Sequence, residues 1–311
     1  MSSGRPTRPR QCGAPIGHAA GVHPEEVPPA VLADVARAVD AEVAVVGRLA
    51  GGVNGGAVRV RMRGRGDAVL KATPWSHPDQ LEDARRARRV VDHMRGRGYP
   101  TPAWLGVGST ATHVWQLTEL VDAAPAHELT PSLVDQLVAI VDLQAGQASE
   151  PHDHWQFAWR VVTGRQTTAG DVAAHSAAVA SLVDRMRRAH DRLEPPPMAP
   201  DMVHADLNPS NVLVRDGVVV ALVDIGNAGS GTRASDLVTL QWHTFRAPLD
   251  GARHRLRGTV VDLVGWEWAA ALTATQVLLQ LEWRLRSASA DAVAQTIERG
   301  HRAFDELDEL R

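Results

Sequence analysis

Apolar and polar residues alternate one by one through Val58, Arg59, Val60, Arg61, Met62 and Arg63, which predicts a strand with one buried face and one wet, basic face. Strand-like runs also occupy residues 42–49, the stretch around Lys71, 104–107 and 112–120, so about five strands are expected in the first third of the chain. Two helices interrupt them. Residues 31–39 have helical apolar spacing behind Pro28 and Pro29, and residues 78–97 form a long Arg-rich helix ended by Gly98, with Pro100 and Pro102 beyond. From Leu133 onward the pattern is mostly helical, apart from one hairpin: VLV at 212–214, the turn pair Asp216-Gly217, then VVVALVD ending at Asp224. Residues 119–125, ELVDAAP, read as a hinge between the two architectures, and a cleft between them is where a ligand site is expected.

Composition narrows this picture. The chain has 311 residues, 44% hydrophobic and 22% charged, in the range of soluble globular proteins and long enough for about two domains. The expected division is a disordered tail at 1–24, a first lobe at 25–120 and a helical lobe at 121–311. A single cysteine, Cys12, excludes an intrachain disulfide framework. The first twenty residues lack the apolar core of a signal peptide, and no run of 18 apolar residues offers a membrane span, so a cytoplasmic location is expected. Residues 1–120 carry 16 basic and 11 acidic side chains, residues 121–311 carry 17 and 25. A basic first half suits a polyanionic ligand and an acidic second half a cationic one, although the acids at 305, 306, 308 and 309 also fit a solvated helix face. The arginines of 59–63 have no interleaved aromatics, so nucleic acid is not an expected partner.

Candidate chemistry centres on VHADLNPSNVLV, residues 203–214. His204, Asp206 and Asn211 have the H-x-D-x-x-x-x-N spacing of a kinase catalytic loop. A carboxylate such as Asp206 can orient an attacking hydroxyl and accept its proton, an amide oxygen such as Asn211 can hold Mg²⁺, and Asp224 is a second carboxylate aimed at the same ion. Turn chemistry alone also places Asp and Asn in loops. Of 33 Lys and Arg residues only Lys71 is a lysine, and three of the four asparagines, 208, 211 and 227, lie in or just after this stretch. Gly51, Gly52, Gly55 and Gly56, with Asn54 among them, sit between two strands; a plain hairpin turn explains them, as does a loop whose N–H groups approach phosphates. On the Arg-rich helix, Glu82 is the acid chosen to pair with Lys71, where the helix dipole alone also favours acids.

Over nearly all of its length after the tail, the chain resembles the aminoglycoside phosphotransferases, relatives of choline kinase and of the protein kinases. HADLNPSNVLV resembles that family's HGDLHPGNVLV, and VDIGNAGSGTRASDL resembles IDWEDAGLGDPAYDL. The resemblance implies an α+β, bilobal protein-kinase-like fold, with Asp206 as catalytic base, Asn211 and Asp224 as Mg²⁺ ligands, and Lys71 on the phosphates of ATP or GTP. It also implies Glu82 as the partner of Lys71, a nucleotide base on the backbone of Glu119 and Val121, and Asp236 as a buried brace for the catalytic loop. Ala205 replaces the family's usual glycine, a methyl expected to be tolerated, and Asn227 stands where the family often has an acid. The acceptor pocket is expected among the helices of 130–193 and 235–310, with Asp250, Glu267 and Trp266 as candidate contacts, along with the tryptophans at 155, 159, 242 and 268. Trp266 and Trp268, two apart on a helix, cannot both line one wall. The His152-Asp153-His154 run reads as a loop rather than as a metal site. Three functions fit: a kinase for a hydroxyl of an antibiotic or related natural product, a metabolic small-molecule kinase, and a nucleotide-binding module without transfer activity.

Overall fold

The computed structural model describes residues 27–49, 57–166, 172–189, 193–246 and 248–311. The tail at 1–24 and Gly51, Gly52, Asn54 and Gly55 lie outside the described residues.

An antiparallel sheet in the order β1-β2-β3-β5-β4 builds the N-terminal part, from β1 (Val43–Arg48), β2 (Ala57–Met62), β3 (Gly66–Pro74), β4 (Trp104–Ser109) and β5 (His113–Glu119). The predicted alternation holds in β2: Val58, Val60 and Met62 are buried, whereas Arg59 and Arg61 pair with Asp67 and Arg63 with Glu42. Those two acids offset part of the charge of the three arginines. Helix α1 (Pro29–Val39) starts on a proline that suits its first turn and lays Val31, Val35 and Val39, one residue per turn, into a core with β2, β3, Trp115 and Leu117. Trp115 fixes that docking by donating Nε1–H to Asp34 at 2.8 Å.

Helix α2 (Gln80–Arg95) belongs to a different core. Its Ala87, Val90, Val91 and Met94 join the large cluster of the C-terminal part rather than the cluster under α1. Gly98, at φ +82°, reverses the chain after it.

Two-residue strand β6 (Ala124–Pro125) carries the connector onto the hairpin of β8 (Val212–Arg215) and β9 (Val218–Leu222). Asp216 and Gly217, at φ +53° and +76°, form the predicted turn with the left-handed backbone that such hairpins need. Three-residue strands β7 (Asp201–Val203) and β10 (Gly229–Gly231) pair with each other. Around them pack helices α3 (Pro131–Asp142), α4 (His154–Val162), α5 (Ala177–Ala189), α6 (Ala234–Trp242), α7 (Asp250–Ser287) and α8 (Ala290–Asp308). Helix α7 breaks at Gly265, which adopts φ +77° and ψ 165°. Among the described residues no helix is long and apolar enough to cross a membrane.

Candidate functional site

Strand β7 delivers the chain into the loop that carries Asp206, and a buried carboxylate holds that loop in place. Asp236, in the first turn of α6, is fully buried and accepts the backbone N–H of His204 at 2.7 Å, that of Ala205 at 2.9 Å and the amide of Gln144 at 3.0 Å. Burial pushes its carboxyl above the usual range against the pull of these donors. The grip bends the loop sharply, and Ala205 is left at φ +66°. The family's glycine at this position therefore has a backbone reason, and the methyl of Ala205 carries a strain not visible in the sequence. Ala205→Gly is expected to stabilise the protein by about 1 kcal/mol, read as a higher midpoint in urea unfolding.

Both oxygens of Asp206 are held. Oδ1 accepts Asn208 Nδ2 at 2.8 Å, and Oδ2 accepts Asn211 Nδ2 at 2.9 Å. Burial raises the Asp206 carboxyl above its ordinary value, and the nearby Asp224 adds to the rise. Asn211 ends a short 3-10 turn (Pro209–Asn211) that Asn208 caps by accepting Ser210 N–H at 3.0 Å. Its Nδ2 also donates to the Asp206 carbonyl at 2.9 Å, which leaves Oδ1 as its free oxygen donor.

The hairpin β8–β9 returns the chain to Asp224, whose backbone is left-handed at φ +59° and ψ 38°. Lys71 Nζ, on β3, lies 2.7 Å from Asp224 Oδ1. Burial would push the Asp224 carboxyl up, but the charge and hydrogen bond of Lys71 outweigh it and hold the group below its usual value. Lys71, Asp206, Asn211 and Asp224 are thus brought together. Asn211 and Asp224 supply oxygen donors only, which fits a hard divalent cation that takes its remaining ligands from water and phosphate. Among the described residues no group of three His, Cys, Asp or Glu side chains could hold a metal by itself.

Sheet register extends the site. Lys71 lies opposite Gln116 and Val69 opposite Thr118, so period two puts Val69 and Thr118 on the Lys71 face, beside the hinge. Counting back two residues from Lys71 would have found Val69. At the hinge, Glu119 N–H donates to the Ala103 carbonyl at 2.9 Å, and the Val121 carbonyl accepts Ala123 N–H at 3.0 Å. A cavity of about 480 Å³ borders residues 119–122 on the side of Arg95, Tyr99 and Thr101. Lys71 is not in its wall, so it is not the space in which Lys71 and Asp224 meet.

Glu82 does not reach Lys71. Its carboxylate pairs with Arg89 at 3.1 Å and Arg85 at 4.0 Å, because it sits on a solvent-facing turn of α2, and the lysine takes Asp224 instead. Asp250 is engaged at the start of α7 by Arg253 and Arg302, in the packing of α7 on α8. Trp266 donates Nε1–H to the Leu307 carbonyl at 3.1 Å and lies under Arg311, whereas Trp268 meets Trp155 edge-on at 5.2 Å. The two tryptophans diverge as expected, and Trp266 serves α8. Glu267 is exposed.

In the His-Asp-His run, Asp153 caps α4 by accepting the N–H groups of Trp155 and Gln156. His154 Nε2 lies 2.8 Å from the Asn227 carbonyl and serves as its donor. Burial lowers His154 to about 3 and His152 to about 4, so both are neutral in the fold at neutral pH. Below about 6.5 the unfolded chain protonates these imidazoles first, so their contribution to stability is complete above that pH and is withdrawn as pH falls toward 4 and 3. His154→Gln, which retains a donor, is expected to flatten the fall in melting temperature between pH 6.5 and 4.

A sheet lysine that faces two acids and an amide, carried on a loop and a hairpin beside the helices, is the arrangement of a protein-kinase-like phosphotransferase. Residues 45–272 match the phosphotransferase enzyme family, and the chain belongs to it. A comparison with curated protein sequences gives no significant match. Among solved structures, a thermostable mutant of the aminoglycoside phosphotransferase APH(4)-Ia, in ternary complex with ADP and hygromycin B, is 16% identical, with 89% of this chain and 98% of that one covered at a TM-score of 0.64. The macrolide 2'-phosphotransferase MphH from Brachybacterium faecium is 17% identical over 87% of this chain and 96% of that one, at 0.54. A candidate fructosamine-3-kinase from Thermobifida fusca is 22% identical over 88% and 98%, at 0.60.

Proposed function

We propose that the protein is a cytoplasmic kinase that transfers the γ-phosphate of ATP or GTP to a hydroxyl of an antibiotic or related natural product. The observation that carries the reading is the 2.7 Å contact between Lys71 and Asp224, which joins strand β3 of the sheet to the residue that follows the β8–β9 hairpin. Phosphoryl transfer asks a protein chiefly for positioning and for offset of charge. Magnesium, when bound, neutralises the triphosphate; Asn211 Oδ1 and the Asp224 carboxylate are the groups that would hold it. Lys71 meets the phosphates, Val69 and Thr118 face the base, and the backbone of Glu119 and Val121 bonds its edge. Asp206 orients the acceptor hydroxyl and receives its proton late.

The acceptor is a small molecule. On this reading Glu267, an exposed carboxylate on α7, meets a cationic group of the acceptor, and Trp155 and Trp268 pack behind it in the core rather than against the ligand. A drug bound to one neighbour, hygromycin B, and the macrolide named for another support an antibiotic acceptor. The fructosamine-3-kinase likeness favours a second reading, a metabolic kinase for a sugar or amino alcohol.

The test is a drug-susceptibility panel in a host expressing the gene, with phosphate transfer from labelled nucleotide followed on each drug. Resistance with a phosphorylated drug supports the first reading. Transfer to metabolites alone supports the second, and nucleotide binding without transfer to any acceptor overturns both.

A further inference from the structure

In a protein-kinase site an acid on the main helix of the small lobe pairs with the strand lysine, and that pair reports the seat of the helix to the metal site. Here the lysine is paired with Asp224, and α2 reaches the same turn by another route. Residues 82, 86, 89 and 93 of α2 share one face by helical spacing. From that face Arg86 Nε donates to the Ala228 carbonyl at 3.2 Å, Arg89 donates to both oxygens of Glu150 at 2.8 and 2.9 Å, and His93 meets Gln147 at 3.1 Å. The adjoining face, with Ala87, Val90, Val91 and Met94, is buried in the core of the helical part.

Arg86 is the rung that touches the site. Its side chain is only 10% exposed and is oriented by Asp83 one turn earlier. Ala228, fully buried, stands four residues beyond Asp224, at the end of the 3-10 turn that the left-handed Asp224 opens. On the far side of that turn the Asn227 carbonyl meets His154, and Ser230 is held by the His152 carbonyl and by Glu150. A buried carbonyl deprived of its charged donor carries an appreciable desolvation cost, so losing the guanidinium frees this end of the turn to move.

We propose that Arg86 is a positioning residue for Asp224: through the Ala228 carbonyl it ties the metal-holding turn to a helix that is itself fixed in the helical part. The proposal rests on the reading of Asp224 as a cation-holding group.

The experiment measures amide hydrogen exchange at 225–230 in the ligand-free protein, and nucleotide affinity with and without Mg²⁺. The proteins compared are wild type, Arg86→Met, Arg86→Lys and His93→Ala. In Arg86→Met, exchange at these amides should rise about tenfold and Mg-nucleotide affinity should fall about tenfold, the size of one charged hydrogen bond, with metal-free affinity unchanged. Arg86→Lys should recover part of both, and His93→Ala, which removes a rung away from the turn, should match wild type. Wild-type exchange and Mg²⁺ dependence in Arg86→Met, or the same losses in His93→Ala, would overturn the proposal. Should Arg86→Met not fold, Arg86→Gln, too short to span the gap, is read by the same criteria. A wild-type protein that binds no Mg-nucleotide would instead refute the kinase reading, and the exchange data alone would then decide whether Arg86 holds the turn.

Discussion

Asp206→Asn should lower kcat by about 10²- to 10⁴-fold, the usual contribution of a positioned acid or base, with nucleotide affinity nearly unchanged. The hydrogen bonds around it show how the variant has to be read. Each carboxylate oxygen faces an amide N–H, from Asn208 on one side and Asn211 on the other. The new amide nitrogen must therefore point at one of these donors. Toward Asn208 the conflict is absorbed outside the groups proposed to hold magnesium, and nucleotide affinity survives. Steady-state kinetics with a saturating acceptor, alongside nucleotide binding without acceptor, check both halves; wild-type turnover would remove Asp206 from the mechanism. Because burial raises the Asp206 carboxyl, the acid limb of the wild-type rate profile should also lie above the ordinary aspartate range, with activity lost as pH falls through it.

Asp236→Ala should have the largest effect on stability, a loss of about 3–5 kcal/mol in urea unfolding, because one buried acceptor is removed from several buried donors. The N–H groups of His204 and Ala205 and the amide of Gln144 all lose their acceptor at once. A cavity the size of a carboxyl group adds to the cost. Water entering that space would shrink the loss, and a change below about 1 kcal/mol would show that the catalytic loop holds its shape without the brace.

The two predictions differ in how readily their residues could be found. Asp206, Asn211 and Asp224 were legible because catalytic spacing and hairpin chemistry are local: a five-residue interval, an Asp-Gly turn and a β run define them with no knowledge of the rest of the chain. The β2 alternation, the start of α1 at Pro29 and the chain reversal at Gly98 were legible for the same reason, although α2 itself stops at Arg95, short of the expected residue 97. Pairings between distant segments were not. Strands β7 and β10 are three residues each, too short for any periodicity, and exist because residues 201–203 and 229–231 find each other. Glu82 stands near a helix start, where acids are favoured anyway, but which face of α2 turns inward is set by how Val90, Val91 and Met94 dock in the second core. Arg86 carried no signal in a helix crowded with arginines; burial alone sets it apart. Asp250 and Trp266 were drawn to the acceptor by residue type, whereas ion pairs and packing between α7 and α8 claim them.

The contact between Lys71 and Asp224 also bears on the order in which ligands arrive. The Lys71 ammonium engages one oxygen of that carboxylate. If Asp224 holds the metal as proposed, a divalent ion arriving alone has to share that carboxylate with a tethered cation. A triphosphate offers the ammonium an alternative anion and releases the carboxylate in the same event. On the proposed function, metal and nucleotide are therefore expected to enter as a pair, each tightening the other, which binding of Mg²⁺ with and without nucleotide would check.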